Sequence, residues 1–417
     1  MNSAHKFSMR IMAVFFFIII HATSSFAVSE SAVLFLLISP SPQANAMGNT
    51  YGNLVCTDPI ASLFNPAYLG FYAQKHNFGF SYSEADWLPV IVSDMNISCA
   101  SFNFGYTLKN APVSFGLGYH HLYLDLGEQI QFGEGPDPIG TFNSYDKAEI
   151  ISASLLLDYF LRIGVGANLK WIKSTLMPDP MMEDYGEDSG KATAHDIGIA
   201  VQVPCFDIIS DITHKSSSIT KHVMPFWQWG FSYCIVNIGD GIYYIDPDYS
   251  DPLPRNSSIG YNSQLGFKYK GEISSFNIVS AKYAYEAEGF LVERTFDDYG
   301  SINTQYLSGF FDTDPDIRIY KSGWEFDILN MLYIRKGHYD DENGSVVYDT
   351  SGWGINFMQP LRLFLLFGDE RIENALIKKL LNNLDIEYHN CRYETDFGHP
   401  LSGTTFDGII VNLKTVF

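Results

Sequence analysis

Beyond its first forty residues this chain has no run of about 20 apolar residues, so no later segment can cross a bilayer as a helix. Its five cysteines, Cys56, Cys99, Cys205, Cys234 and Cys391, form no Cys-x-x-Cys pair, which removes the common zinc and redox spacings. An odd number leaves at least one thiol unpaired in an oxidising compartment. Basic residues are few: 26 Lys and Arg stand against 47 Asp and Glu, for a net charge of −21. Such a surface avoids nucleic acid, whose phosphates favour basic partners. No Ser/His/Asp set, phosphate loop or pair of catalytic carboxylates stands out, so no cofactor and no enzyme activity are expected. His120 and His121 are adjacent and would point to opposite faces of a strand, where they cannot share a metal. Asp312, Asp314 and Asp316 alternate like the opening of a calcium loop. Pro315 interrupts them and the later Gly and Glu are missing, so a solvated loop is expected and no metal site is assigned.

What is present begins with a leader. Lys6 and Arg10 precede the apolar run Ile11 to Ile20, and small residues follow, the order of a secretory signal. Two cleavage sites fit. Ser25-Phe26-Ala27 lies at the usual distance from the first apolar run, while Ala44-Asn45-Ala46 is the better small-x-small match behind a second run, Ala32 to Ile38. Cleavage after Ala46 is the preferred expectation, with Ala27 the alternative. Cys56 follows Val55 rather than a small residue, which argues against a lipid anchor.

The rest alternates with a period of two. In 161–171, Leu161, Ile163, Val165, Ala167, Leu169 and Trp171 share one face, and Arg162, Gly164, Gly166, Asn168 and Lys170 share the other. Phe115, Leu117 and Tyr119 face away from Ser114, Gly116 and His120; Trp227, Trp229 and Phe231 form an aromatic face. Aromatics make up 15% of the chain. Aromatic-rich outer faces opposite small or charged positions suit a membrane barrel with a polar interior. The expectation is an all-β, transmembrane antiparallel barrel of about 14 strands over 77–417, located in the outer membrane and in contact with its lipid.

Connections give an independent test, because such barrels alternate short periplasmic turns with long outer loops. Long stretches at 84–94, 125–146, 174–192, 239–257, 288–321, 339–350 and 392–404 alternate with short ones, except for insertions at 204–225 and 359–383 on the inner side. Acidic residues concentrate outside: 125–146 carries five acids and no base. Divalent cations could bridge such loops to anionic headgroups. Within the second insertion, Ile372, Leu376, Leu380 and Leu384 recur at four-residue spacing and predict a helix over 369–384, at the inner interface or on the barrel end. Inward-facing Arg162, Lys170, Lys282 and Glu286 suggest a polar ladder in the lumen.

A compact segment over 47–76 precedes the first strand. Asp58 can N-cap a short helix with Pro59 at its first position, and Asn65-Pro66 then ends it. The product is a plug-like turn carrying Met47, Gly48, Asp58, Pro59, Asn65, Pro66, Ala67 and Leu69. This text resembles the start of the FadL-like outer-membrane barrels, and it looks closest to their PorV/PorQ branch in the type IX secretion system. Ser93 to Ser98, Pro138 to Asp146 and Pro400 to Phe406 resemble further blocks of that branch. The resemblance implies a secretion accessory that binds or shuttles protein cargo at the cell surface, with secretion-system proteins as partners. Tyr299, Tyr306, Phe310 and Phe311 in the longest outer loop would be contact candidates. It equally admits a FadL-like channel for hydrophobic small molecules, or a structural or adhesive barrel.

Overall fold

The structure is a computed structural model that describes residues 31–50, 58–132, 136–177, 188–213, 219–220, 222–244, 250–271, 275–294, 302–304, 318–341, 346–367 and 381–414. Its strands in chain order are β1 Phe78–Asp86, β2 Asn96–Thr107, β3 Val113–Phe132, β4 Pro138–Asp158, β5 Arg162–Met177, β6 Asp188–Pro204, β7 Val223–Gly239 and β8 Asn256–Lys270. They continue as β9 Ser275–Phe290, β10 Val292–Arg294, β11 Ile302–Thr304, β12 Arg318–Ile328, β13 Leu332–Asp341, β14 Val346–Asn356, β15 Leu384–Glu394 and β16 Thr405–Leu413. β10 and β11 pair only with each other; the other strands form one closed antiparallel barrel of fourteen. Closure is direct: Phe78 at the start of β1 lies opposite Leu413 at the end of β16. No strand edge remains unpaired in the wall, which is the condition for crossing hydrocarbon with strands.

The alternation sorts as expected. Val165, Leu169 and Trp171 are 43–45% exposed, while Asn168 and Lys170 between them are buried. Leu117, Ile259, Leu265 and Trp324 are among the apolar side chains standing outward around the wall. An apolar exterior on a closed barrel belongs in a bilayer, here the outer membrane.

Each expected strand is present, but several run further at the loop end. β3 and β4 remain paired past the apolar belt, through Gln129↔Phe142 and Ile130↔Thr141. Within the acidic stretch, 125–132 and 138–146 are therefore a two-stranded ribbon rather than an open loop. Backbone pairing continues there after the hydrophobic alternation has faded, so periodicity alone underestimates it. The inner insertions carry helices: α2 Cys205–Thr213 and α3 Met358–Phe367, α1 being Tyr68–Lys75 ahead of β1. Of the helix expected over 369–384, residues 381–383 are helical and Leu384 opens β15 instead of ending a helix; α3 is a separate helix ahead of it. Ile372, Leu376 and Leu380 lie outside the described residues.

The inner segment is longer than 47–76. Residues 31–50 also lie inside the barrel, with short helical turns at Leu34–Leu37 and Pro42–Asn45. Phe35, Leu36, Ser41, Gln43, Asn45 and Ala46 are all less than 5% exposed. Cleavage after Ala46 would remove these residues from the lumen.

Candidate functional site: the plugged lumen

Asp58 and Asn65 shape the plug as their types dictate. The Asp58 side chain accepts from Ile60 N at 2.9 Å, capping the turn Pro59–Leu63, and Asn65 Oδ1 accepts from Ala67 N at 3.1 Å as the chain turns into α1. Asp58 also receives a hydrogen bond from Ser41 Oγ at 2.5 Å, which joins the two halves of the plug. Burial pushes the Asp58 carboxyl up from its ordinary value, opposed by the Ser41 and Ile60 donors.

The half built from 59–75 rests on β2 to β6. Asn103 donates to the Pro59 carbonyl at 3.0 Å, and Asn168 donates to the carbonyls of Ser62 and Leu63 at 3.0 and 3.1 Å. Ser154 receives Gly70 N–H and donates to the Ala67 carbonyl, both at 3.1 Å. Pro66 and Asn65 sit directly on Gly166 and Gly198, where a Cβ would come within 2.5 Å of the Pro66 backbone and 2.1 Å of the Asn65 side chain. A side chain at either position would push the plug inward.

The half built from 42–50 rests on β12 to β15. Met47-Gly48 lies across the glycine pair Gly323↔Gly337, with Gly48 at φ +70°. Gly48 N donates to Thr350 Oγ1 at 3.0 Å, Asn49 donates to Tyr348 at 2.8 Å, and Gln43 reaches His389 at 2.9 Å. The residues that carry the family resemblance are thus spent on seating the plug. They report its geometry and leave its purpose open.

The two walls differ in chemistry. Across β2 to β6, neighbouring inward positions form an apolar row: Cys99 opposite Leu122, Leu122 opposite Ala148, Ala148 opposite Ile172, and Ile172 opposite Ala192. Ile97, Leu124 and Ile150 widen this band, and Ile60, Leu63, Phe64, Phe35 and Leu36 of the plug complete one cluster with it. Small or charged lumen positions were the expectation; along this band the inward side chains are apolar instead. Alternation marks two faces but cannot say that the inward one turns apolar part-way along the strand.

Across β9, β12 and β13 the wall is ionic. Glu325 meets Lys282 at 2.9 Å and Arg335 at 2.7 Å, and Lys321 meets Glu286 at 3.4 Å and also Glu288. Three cations and three carboxylates match in charge, all of them nearly excluded from solvent.

Of the four proposed ladder residues, Lys282 and Glu286 join this ionic wall. Lys170 lies elsewhere, 2.9 Å from Asp196 and 2.7 Å from Asn237. Arg162 sits at the turn end with Asp158 at 3.4 Å and Gln202 at 3.1 Å. The four therefore form no single ladder. Asp196, Lys321, Glu325 and Arg335 were missed, although the inward phase of their strands could have found them. His120 is fully buried between Ser62 of the plug, at 3.1 Å, and Ser101, at 2.8 Å. Its neighbour His121 points outward to Glu149 at 2.9 Å. Tyr299, Tyr306, Phe310 and Phe311, with Asp312, Asp314 and Asp316, lie outside the described residues. Among the described residues no cluster of His, Cys, Asp and Glu is arranged to hold a metal ion.

No protein-family model matches the sequence, and no curated relative is found. Solved structures similar to the chain include the Pseudomonas putida toluene transporter TodX, at 9% identity, TM-score 0.41, covering 90% of this chain and 98% of that one. A Pseudomonas aeruginosa FadL homologue is similar at 10% identity and TM-score 0.39, covering 94% of this chain and 100% of that one. The monoaromatic hydrocarbon channel CymD is similar at 9% identity and TM-score 0.37, covering 90% and 96%. The barrel itself is established by its own strand register, with each wall strand hydrogen-bonded to two neighbours.

Proposed function

We propose that this outer-membrane barrel is a conduit for hydrophobic small molecules, admitted at the loop end and passed along the apolar wall beside the plug. One observation carries the reading: the inward apolar row Cys99–Leu122–Ala148–Ile172 meets an apolar plug surface. A path for ions or sugars would present polar groups to its cargo, whereas those on β9, β12 and β13 are paired with one another. Apolar ligands instead gain from leaving water for an apolar wall. Plug side chains pack against this row, so passage along it requires local displacement of the plug.

The test compares uptake of a monoaromatic hydrocarbon and of a long-chain fatty acid by intact cells with and without the barrel. Ala148→Leu adds volume at a fully buried position of the row. It should reduce uptake several-fold while the barrel still migrates as a folded species on an unboiled detergent gel. Uptake unaffected by deleting the gene overturns the conduit. Surface proteins accumulating in the periplasm of the same deletion strain would establish the secretion-accessory reading instead.

We infer also that the leader is removed after Ala27. The supporting observation is the burial of 31–50: cutting after Ala46 would strip Asp58 of Ser41 and His389 of Gln43. The intact mass of the barrel purified from outer membranes decides between the two. A mature chain starting at Met47 overturns the inference.

A further inference from the structure

Helix α3, Met358–Phe367, is inside out for a helix in water. Its polar side faces the protein: Gln359 is 2% exposed, and Arg362 is held by three partners at the base of β15. Arg362 donates to the carbonyls of Leu381 and Leu384 at 2.7 and 2.6 Å and pairs with Asp385 at 2.8 Å. Asn356 caps the helix, accepting from Met358 N at 2.9 Å and Gln359 N at 3.2 Å, while its amide donates to Asp385 and Glu387. The helix is therefore fixed in rotation as well as in position.

The opposite side carries Phe357, Leu361 and Phe364, spaced four and three residues apart so that they share one face. They are 49%, 46% and 64% exposed. A surface helix of a soluble domain turns its apolar stripe to the core and its charges to water, the reverse of this arrangement. The exposed face also continues an established interface. Trp353, 45% exposed, stands on the lipid-facing side of β14, opposite Ile334 on β13, and Phe357 follows it one turn of chain later. Elsewhere at the same end of the barrel the β4–β5 turn exposes Tyr159 and Phe160, aromatics of the kind that mark a membrane–water boundary.

We propose that α3 is an interfacial helix, lying in the headgroup–acyl boundary of the periplasmic leaflet with Phe357, Leu361 and Phe364 inserted among phospholipid chains. Its polar side is clamped to the barrel by Arg362 and Asn356, so the helix enlarges the lipid-facing perimeter beside β14 and β15. The proposal stands apart from what the lumen carries.

The experiment places a nitroxide at Phe364→Cys in the full-length barrel, reconstituted into vesicles of phosphatidylethanolamine and phosphatidylglycerol. The parent protein, carrying its native cysteines and treated identically, supplies the blank. Asp396→Cys, in the exposed β15–β16 connection, gives the aqueous reference. At 364, relaxation by dissolved oxygen should exceed relaxation by a water-soluble nickel chelate several-fold, with the order reversed at 396. Leu361→Cys should repeat the result and guards against a local folding defect at 364. Nickel accessibility at 361 and 364 equal to that at 396 overturns the proposal. A label shielded from both reagents also overturns it and shows that protein covers the face, with a cross-linked species of twice the mass identifying a second copy.

Discussion

The two walls of the lumen hold the same plug by different means. Across β2 to β5 the plug is bound by amide and hydroxyl donors to its backbone, above a band of aliphatic side chains. Across β12 to β15 it approaches backbone to backbone at Gly323 and Gly337, beside paired charges. The first wall gains by burial and is sensitive to volume. The second gains by pairing and is sensitive to imbalance, because a buried ion pair is weakly stabilising as a unit and costly when half is removed.

The sharpest way to break the comparison is Glu325→Leu. It strands Lys282 and Arg335 in a buried site and should destabilise the barrel by about 3–5 kcal/mol. Adding Lys282→Met and Arg335→Met should recover most of that loss. Urea midpoints of the refolded barrel in detergent give both numbers. If the triple variant stays as unstable as the single one, the ionic wall is more than a balanced set of charges. On the apolar wall, Leu122→Ala should cost about 2–4 kcal/mol through lost burial and a residual cavity. Here no second polar or charged change offers a rescue, and a cost near zero would show that the band is loosely packed.

The smallest expected effect concerns the joint between the two plug halves. Because burial raises the folded-state pKa of Asp58, its contribution to stability is fully present below the ordinary value of 3.8 and is lost as pH rises through the raised folded value. Asp58→Asn keeps a capping oxygen and removes that slope. Hydrogen exchange of the plug amides, followed across about pH 3 to 8, should show the wild-type plug loosening upward while the variant stays level. A wild-type plug that loosens only on acidification contradicts the assignment.

The wall was legible because each strand faces two different surroundings, and Leu161 to Trp171 records both in alternate residues. The plug was harder to read. Ala44, Ala46 and Gly48 are small because the barrel wall presses on them, with Ala46 against Gly352, yet small residues behind an apolar run are also the mark of a cleavage site. The apolar band escaped notice because Leu122 and Ile150 lie in the same phase as Ser114 and Ser152, so nothing local separates them. The charged wall was half-read: Lys282 and Glu286 were identified, but their partners sit one strand away, on β12, and pairing across strands is a matter of register. Helix α3 was not anticipated: its polar face is the buried one, which defeats a rule that takes the apolar side as hidden.

The pairing of β1 with β16 has a temporal meaning. The plug leads directly into β1, and the partner that completes the wall is β16, the wall strand furthest from it in sequence among the described residues. Its contacts come from strands as far apart in sequence as Asn103 and His389. Because the wall is closed only when β16 meets β1, a plug seat that draws on both walls is complete only once that seam has formed.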